Sequence, residues 1–498
     1  MIMKFTIYGF GILLGLLLWG CIDDKTNQHL TQVNRITFNG IEEEYVRNMG
    51  DSLVIEPEFT YSLAESTEAE YSYLWFLSTS QTMYVADTLS KEKDLRVVIT
   101  SLPGDYHLNY KVTNKRTGVF DTYQCDIRVD GAYSRGILIL AENEGYAQLN
   151  LLPANGHLIT SVYEGANGEK LGKHPVRVKF VNPAASRPAL KEVYVLCKDE
   201  RGGACLNPNN LQKRVEIRKA FFFDLSDEVV ESELYFKPRN SALADYLIIG
   251  GQVYNRSYNM GELRYKAALV ADVRGYHVSR WQFSNPSAAW FYDELNRRFL
   301  AHKTPNKGEL IAFRAVDDKF DPRQVGLDLV CGGFGKTARP NRIFGLFKEP
   351  ATQEYAVLVI NVDITNYTMD LHSRYAVDDE MHLLSASCYE IPDDLYFNYL
   401  IFYAWDSRIY IYNAENNVSE LLYDFRGDLG RNIVVDCLEV ASKTELRVGI
   451  RDLDRNDKAG GYALLKMTEL GGLGIDKTEA PVMEIGFCDK VVDFETKQ

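Results

Sequence analysis

Several kinds of site are missing from this chain. It has eight histidines in 498 residues, and no two form an HxH or HxxxH pair. None of its eight cysteines stands in a CxxC or Cys/His zinc spacing. A sequence-local metal site of that kind is thereby excluded, and neither a metal nor a cofactor is expected. There is no Gly-x-Ser-x-Gly elbow to carry a serine nucleophile, so no catalytic residue is assigned. Helical periodicity is nearly absent, and beyond the N-terminus no run is long and apolar enough to cross a bilayer. Positive charge is in deficit: 55 Lys and Arg against 69 Asp and Glu give a net charge of −14. Nucleic acid, which is bound largely through phosphate neutralisation, is not an expected partner.

The N-terminus carries the strongest local signal. One positive charge, Lys4, precedes about fifteen mostly apolar residues, Phe5 to Trp19, and then Gly20-Cys21. A positive region, a short apolar core and small residues at the cleavage point are the parts of a secretory signal. The apolar run is short for a membrane span, which needs roughly twenty residues. Leu18-Trp19-Gly20-Cys21 resembles a bacterial lipoprotein lipobox. That resemblance implies diacylglycerol on the Cys21 sulfur, cleavage before Cys21 and a signal peptide over residues 1–20. Ile22-Asp23-Asp24-Lys25 resembles the acidic export signal of surface lipoproteins of the Bacteroidota, within a polar tether over residues 21–33. The implied location is the outer membrane, lipid-anchored and facing outside. Several acyl chains make a stable anchor where one alone is marginal.

Residues 34–131 read as short alternating strands separated by turns, among them Tyr71-Ser72-Tyr73-Leu74-Trp75-Phe76 and Tyr106-His107-Leu108-Asn109-Tyr110-Lys111-Val112. Period-two alternation marks half-buried strands, and about seven strands in roughly a hundred residues is the signature of an immunoglobulin-like sandwich. Trp75 is the expected core aromatic. Leu102-Pro103-Gly104-Asp105-Tyr106 resembles a corner whose tyrosine hydroxyl caps the bend.

From residue 132 to 494 a second pattern recurs: an apolar strand, a polar turn, a partner strand. The apolar runs begin at Ile137, Val193, Tyr246, Ala288, Arg342, Tyr399 and Leu446, spaced about 50 residues apart. Repeated β-units of this length fit a β-propeller, which protects its edges by closing a ring. Seven blades are expected, with six or eight as alternatives and an array of further sandwiches as the competing fold. The fold class is all-β: a sandwich, then a propeller.

Tyr73-Leu74-Trp75, the Gly104-Asp105-Tyr106 hairpin and Gly136-Ile137-Leu138-Ile139-Leu140-Ala141-Glu142, together with the lipobox and tether, resemble the PKD-like family lipoproteins of the Bacteroidota. The resemblance spans nearly the whole chain on loose motifs. It implies a neighbouring TonB-dependent transporter and a lipoprotein partner that import glycans or peptides.

Other constellations are weaker. Gly332-Gly333-Phe334-Gly335-Lys336-Thr337 misses phosphate-loop spacing, since Val330 stands where the first glycine belongs, and it reads as a flexible turn between strands. Asp452-Leu453-Asp454-Arg455-Asn456-Asp457 lacks the glycine and the closing glutamate of a calcium loop. Cys197 and Cys205 flank a Gly-rich turn, and their disulfide status is open. Tyr254, Tyr258, Trp281, Trp290, Tyr292, Tyr396 and Trp405 fall near blade ends or loops, where flat rings stack on sugar C–H faces. Of these, Tyr258, Trp281 and Trp405 are the candidate ligand-binding residues, because Asn255-Arg256-Ser257 and Gln282-Phe283-Ser284-Asn285-Pro286 read as turns. The expected function is surface binding of a glycan, another nutrient or a partner protein. The alternatives are a propeller glycan hydrolase or lyase, whose carboxylates are defined only in space, and a structural subunit of the transporter.

Overall fold

The computed structural model describes residues 33–498, apart from 64–69, 79–86, 182–190, 226–231, 236–243, 258–263, 286–287, 303–307, 336–340, 393–396 and 469–473 and the single positions 102, 132, 134, 155, 224 and 498. Cys21, Tyr258 and Tyr396 lie outside the described residues. The chain divides into two compact units, 1–129 and 130–498. The described structure is all-β, with two short α-helices, Val162–Asn167 and Phe425–Leu429.

In the first unit, a five-stranded sheet is built from Glu44–Asn48, Phe120–Asp130, Gly104–Asn114, Tyr71–Ser78 and Asp87–Ser90, in that order across the sheet. Two two-stranded ladders, Ile36–Asn39 with Glu58–Tyr61 and Ser52–Ile55 with Leu95–Val98, share one apolar core with it. Trp75 and Tyr110 are cross-strand partners in the central ladder and stack with centroids 3.9 Å apart. Both polar tips reach the same acceptor: Trp75 Nε1 and Tyr110 Oη donate to the carbonyl of Lys93, at 3.1 and 3.0 Å. The central aromatics are thus buried without stranding a donor. Tyr106 is half-buried, and its ring lies over Gly104.

Among the described residues the second unit is a succession of seven sheets, antiparallel except where Arg314–Ala315 pairs parallel to Thr368–Ala376 in the fifth. The first joins Gly136–Asn143 and Tyr146–Leu152 to the last strand of the chain, Lys490–Lys497. The next five have Pro175–Val181, Ser232–Tyr235, Val278–Asn285, Asp328–Gly335 and Cys388–Glu390 as the strand at one edge, and the seventh has Ile433–Ser442. Each pair of successive sheets encloses its own apolar cluster, and the seventh packs back on the first through Tyr462, Cys488, Val491, Phe494, Ile139 and Ala141. This propeller-like ring is closed by sequence-distant pairing: Gly136 stands opposite Lys497, and Glu142 opposite Lys490. The closing strand runs past position 494, where the repeat pattern was expected to end.

The seven apolar runs read from the sequence are all strands, and each is the second strand of its sheet. The second strand is covered on both faces and reads as continuous Val, Ile, Leu and aromatic residues. The innermost strand has one row near the ring axis and carries charge there, as in Pro175-Val176-Arg177-Val178-Lys179-Phe180-Val181. The period was legible, while the strand that opens each sheet was not.

Three local expectations are corrected. Gly332, Gly333 and Gly335 lie in the inner strand Asp328–Gly335. A Cβ at these positions would meet Phe283, Ile391 and Tyr399 side chains at 2.7, 2.4 and 2.3 Å. These glycines serve close packing between sheets, and the flexible turn expected there is a strand. Asn255-Arg256-Ser257 and Gln282 to Asn285 are likewise strand, within Gln252–Ser257 and Val278–Asn285. Trp290 and Tyr292 are fully buried in the seam between the fourth and fifth sheets, as core packing of blade aromatics requires. Cys197 and Cys205 sit on adjacent strands but face opposite sides of the sheet. Cys197 packs with Val178 and Val195, Cys205 with Tyr194 and Leu196. They form no disulfide, because side chains on opposite faces cannot be bridged.

Phe494 fills the closing seam at 1% exposure. Phe494→Ala is expected to cost about 3–5 kcal/mol of stability, read as a lowered midpoint in denaturant unfolding. An unchanged midpoint would show that the closing strand does not hold the ring.

Candidate functional site

The inner strands of the first, second, sixth and seventh sheets bring charged side chains to one region at the ring axis. On Lys490–Lys497, residues 493, 495 and 497 alternate with Phe494, which faces the closing seam. Asp493 Oδ2 accepts the backbone N–H of Val178, 2.9 Å away, on the inner edge of the second sheet. Lys179 Nζ donates to Glu495 Oε2 at 2.6 Å. Carboxylates of the closing strand thus satisfy donors along the neighbouring free edge, which would otherwise be left without partners. Burial alone would lower Lys179, but Glu495 and then Asp493 outweigh it and hold the amine well above its ordinary value.

The seventh sheet contributes Glu439 and Asp436. Glu439 Oε2 accepts from Arg447 Nη1 at 2.8 Å, and Arg447 also donates to Glu445 and to Thr496. Asp436 accepts from Arg451 Nε at 2.7 Å. The sixth sheet contributes Glu390, the last residue of Cys388–Glu390. Among the described residues the Glu390 side chain makes neither a hydrogen bond nor an ion pair, while its backbone pairs with Phe402. Burial, reinforced by the charge of Glu439 and opposed by Lys179 and Arg177, pushes its carboxyl up to about 7. Burial also pushes Glu439 up to about 7, against the pull of Arg447 and Lys179. Two carboxyl groups that exchange protons near neutrality, beside a lysine and two arginines, can donate or accept a hydrogen bond by turns. At the end of the closing strand burial lowers Lys497 to about 7, with Asp130 opposing, and its amine donates to the carbonyl of Tyr133.

The aromatics chosen from sequence are not brought together. Trp281 lies on the inner strand of the fourth sheet, half-buried among residues of two seams, with the Arg280 guanidinium 4.8 Å from its ring. Trp405 ends the second strand of the sixth sheet and stacks flat on His382, with centroids 3.8 Å apart and planes 3° apart. One face of that indole is already covered. Tyr254 packs edge-on against Phe221. The acidic run at Asp452 is tied up locally: Asp452 accepts from Arg431 and from the Asp454 N–H, and Asp454 from Asn432. Among the described residues no group of three or more His, Cys, Asp or Glu side chains is placed to hold a metal ion. Burial pushes the thiols of Cys125, Cys331, Cys388 and Cys488 up to about 12, which leaves them protonated and poorly nucleophilic at neutral pH.

Sequence reading missed Arg177, Lys179, Glu390, Glu439, Asp493 and Glu495. Their signal was charge at alternate positions of otherwise apolar strands, as in Val491-Val492-Asp493-Phe494-Glu495-Thr496-Lys497. That pattern is also how a solvent-facing edge is written.

A PKD-like family model matches residues 21–175, which include the sandwich and the first two strands of the ring. The chain is thus an all-β protein with a PKD-like domain and a propeller-like series of sheets. Among solved structures it is similar to a quinonprotein alcohol dehydrogenase-like protein from Bacteroides thetaiotaomicron. That match has 12% identity and a TM-score of 0.37, covering 92% of this chain and 95% of that one. A prolyl endopeptidase matches at 12% identity and a TM-score of 0.34, over 73% of this chain but 53% of its own length. Porphyromonas gingivalis dipeptidyl peptidase 4 matches at 8% identity and a TM-score of 0.28, over 76% of this chain and 61% of its own. At these scores none bears on what this chain does. No curated protein matches the sequence.

The raised carboxyls set a direction for stability against pH. Glu390 and Glu439 are protonated in the folded protein up to about 7 and ionise from 4.5 upward when exposed. Their contribution is complete below that lower value and is lost as pH rises through the folded one. Unfolding free energy is expected to fall between pH 5 and 8, and the double change Glu390→Gln, Glu439→Gln to flatten that slope. Denaturant titrations across this range check it; a slope unchanged in the double variant would contradict the assignment.

Proposed function

We propose that this protein is a lipid-anchored lipoprotein of the outer membrane, facing outside, that binds a small polar nutrient at the axis of a seven-bladed β-propeller. The observation that carries the ligand seat is Glu390: an acid without a partner among the described residues, in a cluster whose neighbours Lys179, Arg447 and Arg451 all donate to carboxylates. Glu390 is only half-buried, so its carboxyl remains within reach of a ligand while the neighbouring acids are engaged. Seven sheets and seven apolar seams among the described residues, with the last strand paired to the first sheet, support the blade count. The anchor rests on Lys4, the apolar run to Trp19 and Leu18-Trp19-Gly20-Cys21, with Asp23 and Asp24 behind it as the export signal. The match to the PKD-like family over 21–175 fits that layout. A glycan or peptide delivered to a TonB-dependent transporter and its lipoprotein partner is the nutrient and setting this reading implies.

One observation favours a second reading. Carboxyls near 7, as Glu390 and Glu439 are, suit general acid–base catalysis at neutral pH. In that reading the pair cleaves a glycan rather than holding it.

Cys21→Ala is expected to move the protein from the membrane fraction to the soluble fraction, or to leave it unprocessed, as read by fractionation and mass spectrometry; lipidation that persists refutes the anchor. Calorimetry with neutral and acidic oligosaccharides and short peptides is expected to give binding with no product, weakened about tenfold or more by Glu390→Ala. Release of reducing ends or unsaturated sugars would transfer the function to the second reading.

A further inference from the structure

We infer that the axial site recognises its ligand through a carboxylate seated on the Arg177 guanidinium, with Glu390 meeting the ligand's hydroxyl or amine groups. This rests on the reading of the ring axis as a ligand seat and names the chemistry that seat selects.

Arg177 stands apart from the other cations of the cluster. Lys179, Arg447 and Arg451 each donate a hydrogen bond to a carboxylate at 2.6–2.8 Å. Arg177 makes no side-chain hydrogen bond among the described residues. Its nearest carboxylate oxygen, on Asp493, is 3.9 Å from Nε, beyond hydrogen-bond reach. Its side chain keeps 35% of its surface open, so a ligand can reach the fork. A guanidinium presents paired N–H groups in a plane, which is the geometry of a carboxylate's two oxygens.

Glu390 is the complement. It lies within the fields of Arg177 and Lys179, on the inner strand of the sixth sheet where the second sheet's charges reach it. A ligand with a carboxylate at one end and hydroxyls or an amine at the other would satisfy both at once. Asp493 stands at ion-pair distance from Arg177 but spends the same oxygen on the Val178 backbone N–H, and Glu495 takes Lys179, so the hydrogen-bonding capacity of the Arg177 fork is left over. The charges facing Glu390 and Glu439 from the packed strands are Lys179 and Arg177 on the second sheet, Asp493 and Glu495 on the first and Arg447 on the seventh. An anionic ligand favours the protonated form of both glutamic acids. Its affinity therefore rises as pH falls from 8 to 6.

Two sources supply this chemistry, a uronic acid sugar and a peptide C-terminus. The test is calorimetry on the full-length protein at pH 6 and 8 with galacturonate, alanyl-alanine, the methyl ester of each, and glucose. The expected result is binding of at least one acid, weakened about tenfold or more in its ester, and tighter at pH 6. Which acid binds identifies the source. Arg177→Gln should reduce the acid to the level of its ester, with Arg177→Lys between, while the thermal midpoint confirms that each variant folds. An ester that binds as well as its acid, discrimination that survives Arg177→Gln, or no binding by either acid overturns the inference. Glucose that binds, with both acids silent, overturns it while leaving the axial seat in place; silence from every probe removes both.

Discussion

The second unit depends on one pairing made between strands about 350 residues apart. Lys490–Lys497 completes the sheet begun by Gly136–Asn143. Without it the first sheet would be a bare hairpin with an open edge, and a series of sheets that ends in open edges is a template for aggregation. The same strand does three jobs through its alternation. Its backbone closes the edge. Val491 and Phe494 fill the seam to the seventh sheet. Asp493 and Glu495 turn the other way and bond to the second sheet. A slip of one residue would exchange the apolar and charged rows, so the register is held by opposite demands on its two faces.

Convergence at the axis demands small residues. Gly332, Gly333 and Gly335 admit Phe283, Ile391 and Tyr399 from adjoining sheets, and Gly449 admits the Cys437 thiol and Val491. A ring of sheets is most crowded where its inner strands meet, and there a missing Cβ is what allows contact. Farther out the sheets are separated by large aromatics, such as Trp290, Tyr292 and Phe299 between the fourth and fifth. The aromatic load of the chain is spent mainly on those seams and on the sandwich core. Packing rather than display accounts for most of the rings that the sequence placed near blade ends.

The polar axis is bought at a cost in stability. Buried charges need partners, and even paired ones often contribute little beyond what apolar side chains would. A cluster of this kind is tolerated where the remaining hydrogen-bond capacity has a use. Here the partnered members, Lys179 with Glu495 and Arg447 with Glu439, frame the two whose side chains make no hydrogen bond among the described residues, Arg177 and Glu390. The fold's compromise and the proposed ligand seat are the same residues.

Much of the architecture was written along the chain. Alternation with Trp75 and Tyr110 marked a sandwich, and the recurring apolar runs marked a repeating β-unit, because burial on both faces of a second strand leaves an unbroken hydrophobic signature. The N-terminal pattern ending in Cys21 is likewise a matter of order along the sequence. Other features were decided only by the tertiary structure. Cys197 and Cys205 are near in sequence yet face opposite sides of a sheet. The glycine run at 332–335 looked like a loop until the neighbouring side chains filled its missing Cβ positions. Arg177, Glu390, Glu439 and Asp493 lie up to about 300 residues apart, on strands of four different sheets. The reason is physical: a local pattern records which face of a strand is apolar, whereas a site at a ring axis exists only when the last strand closes the ring and sets those faces against one another.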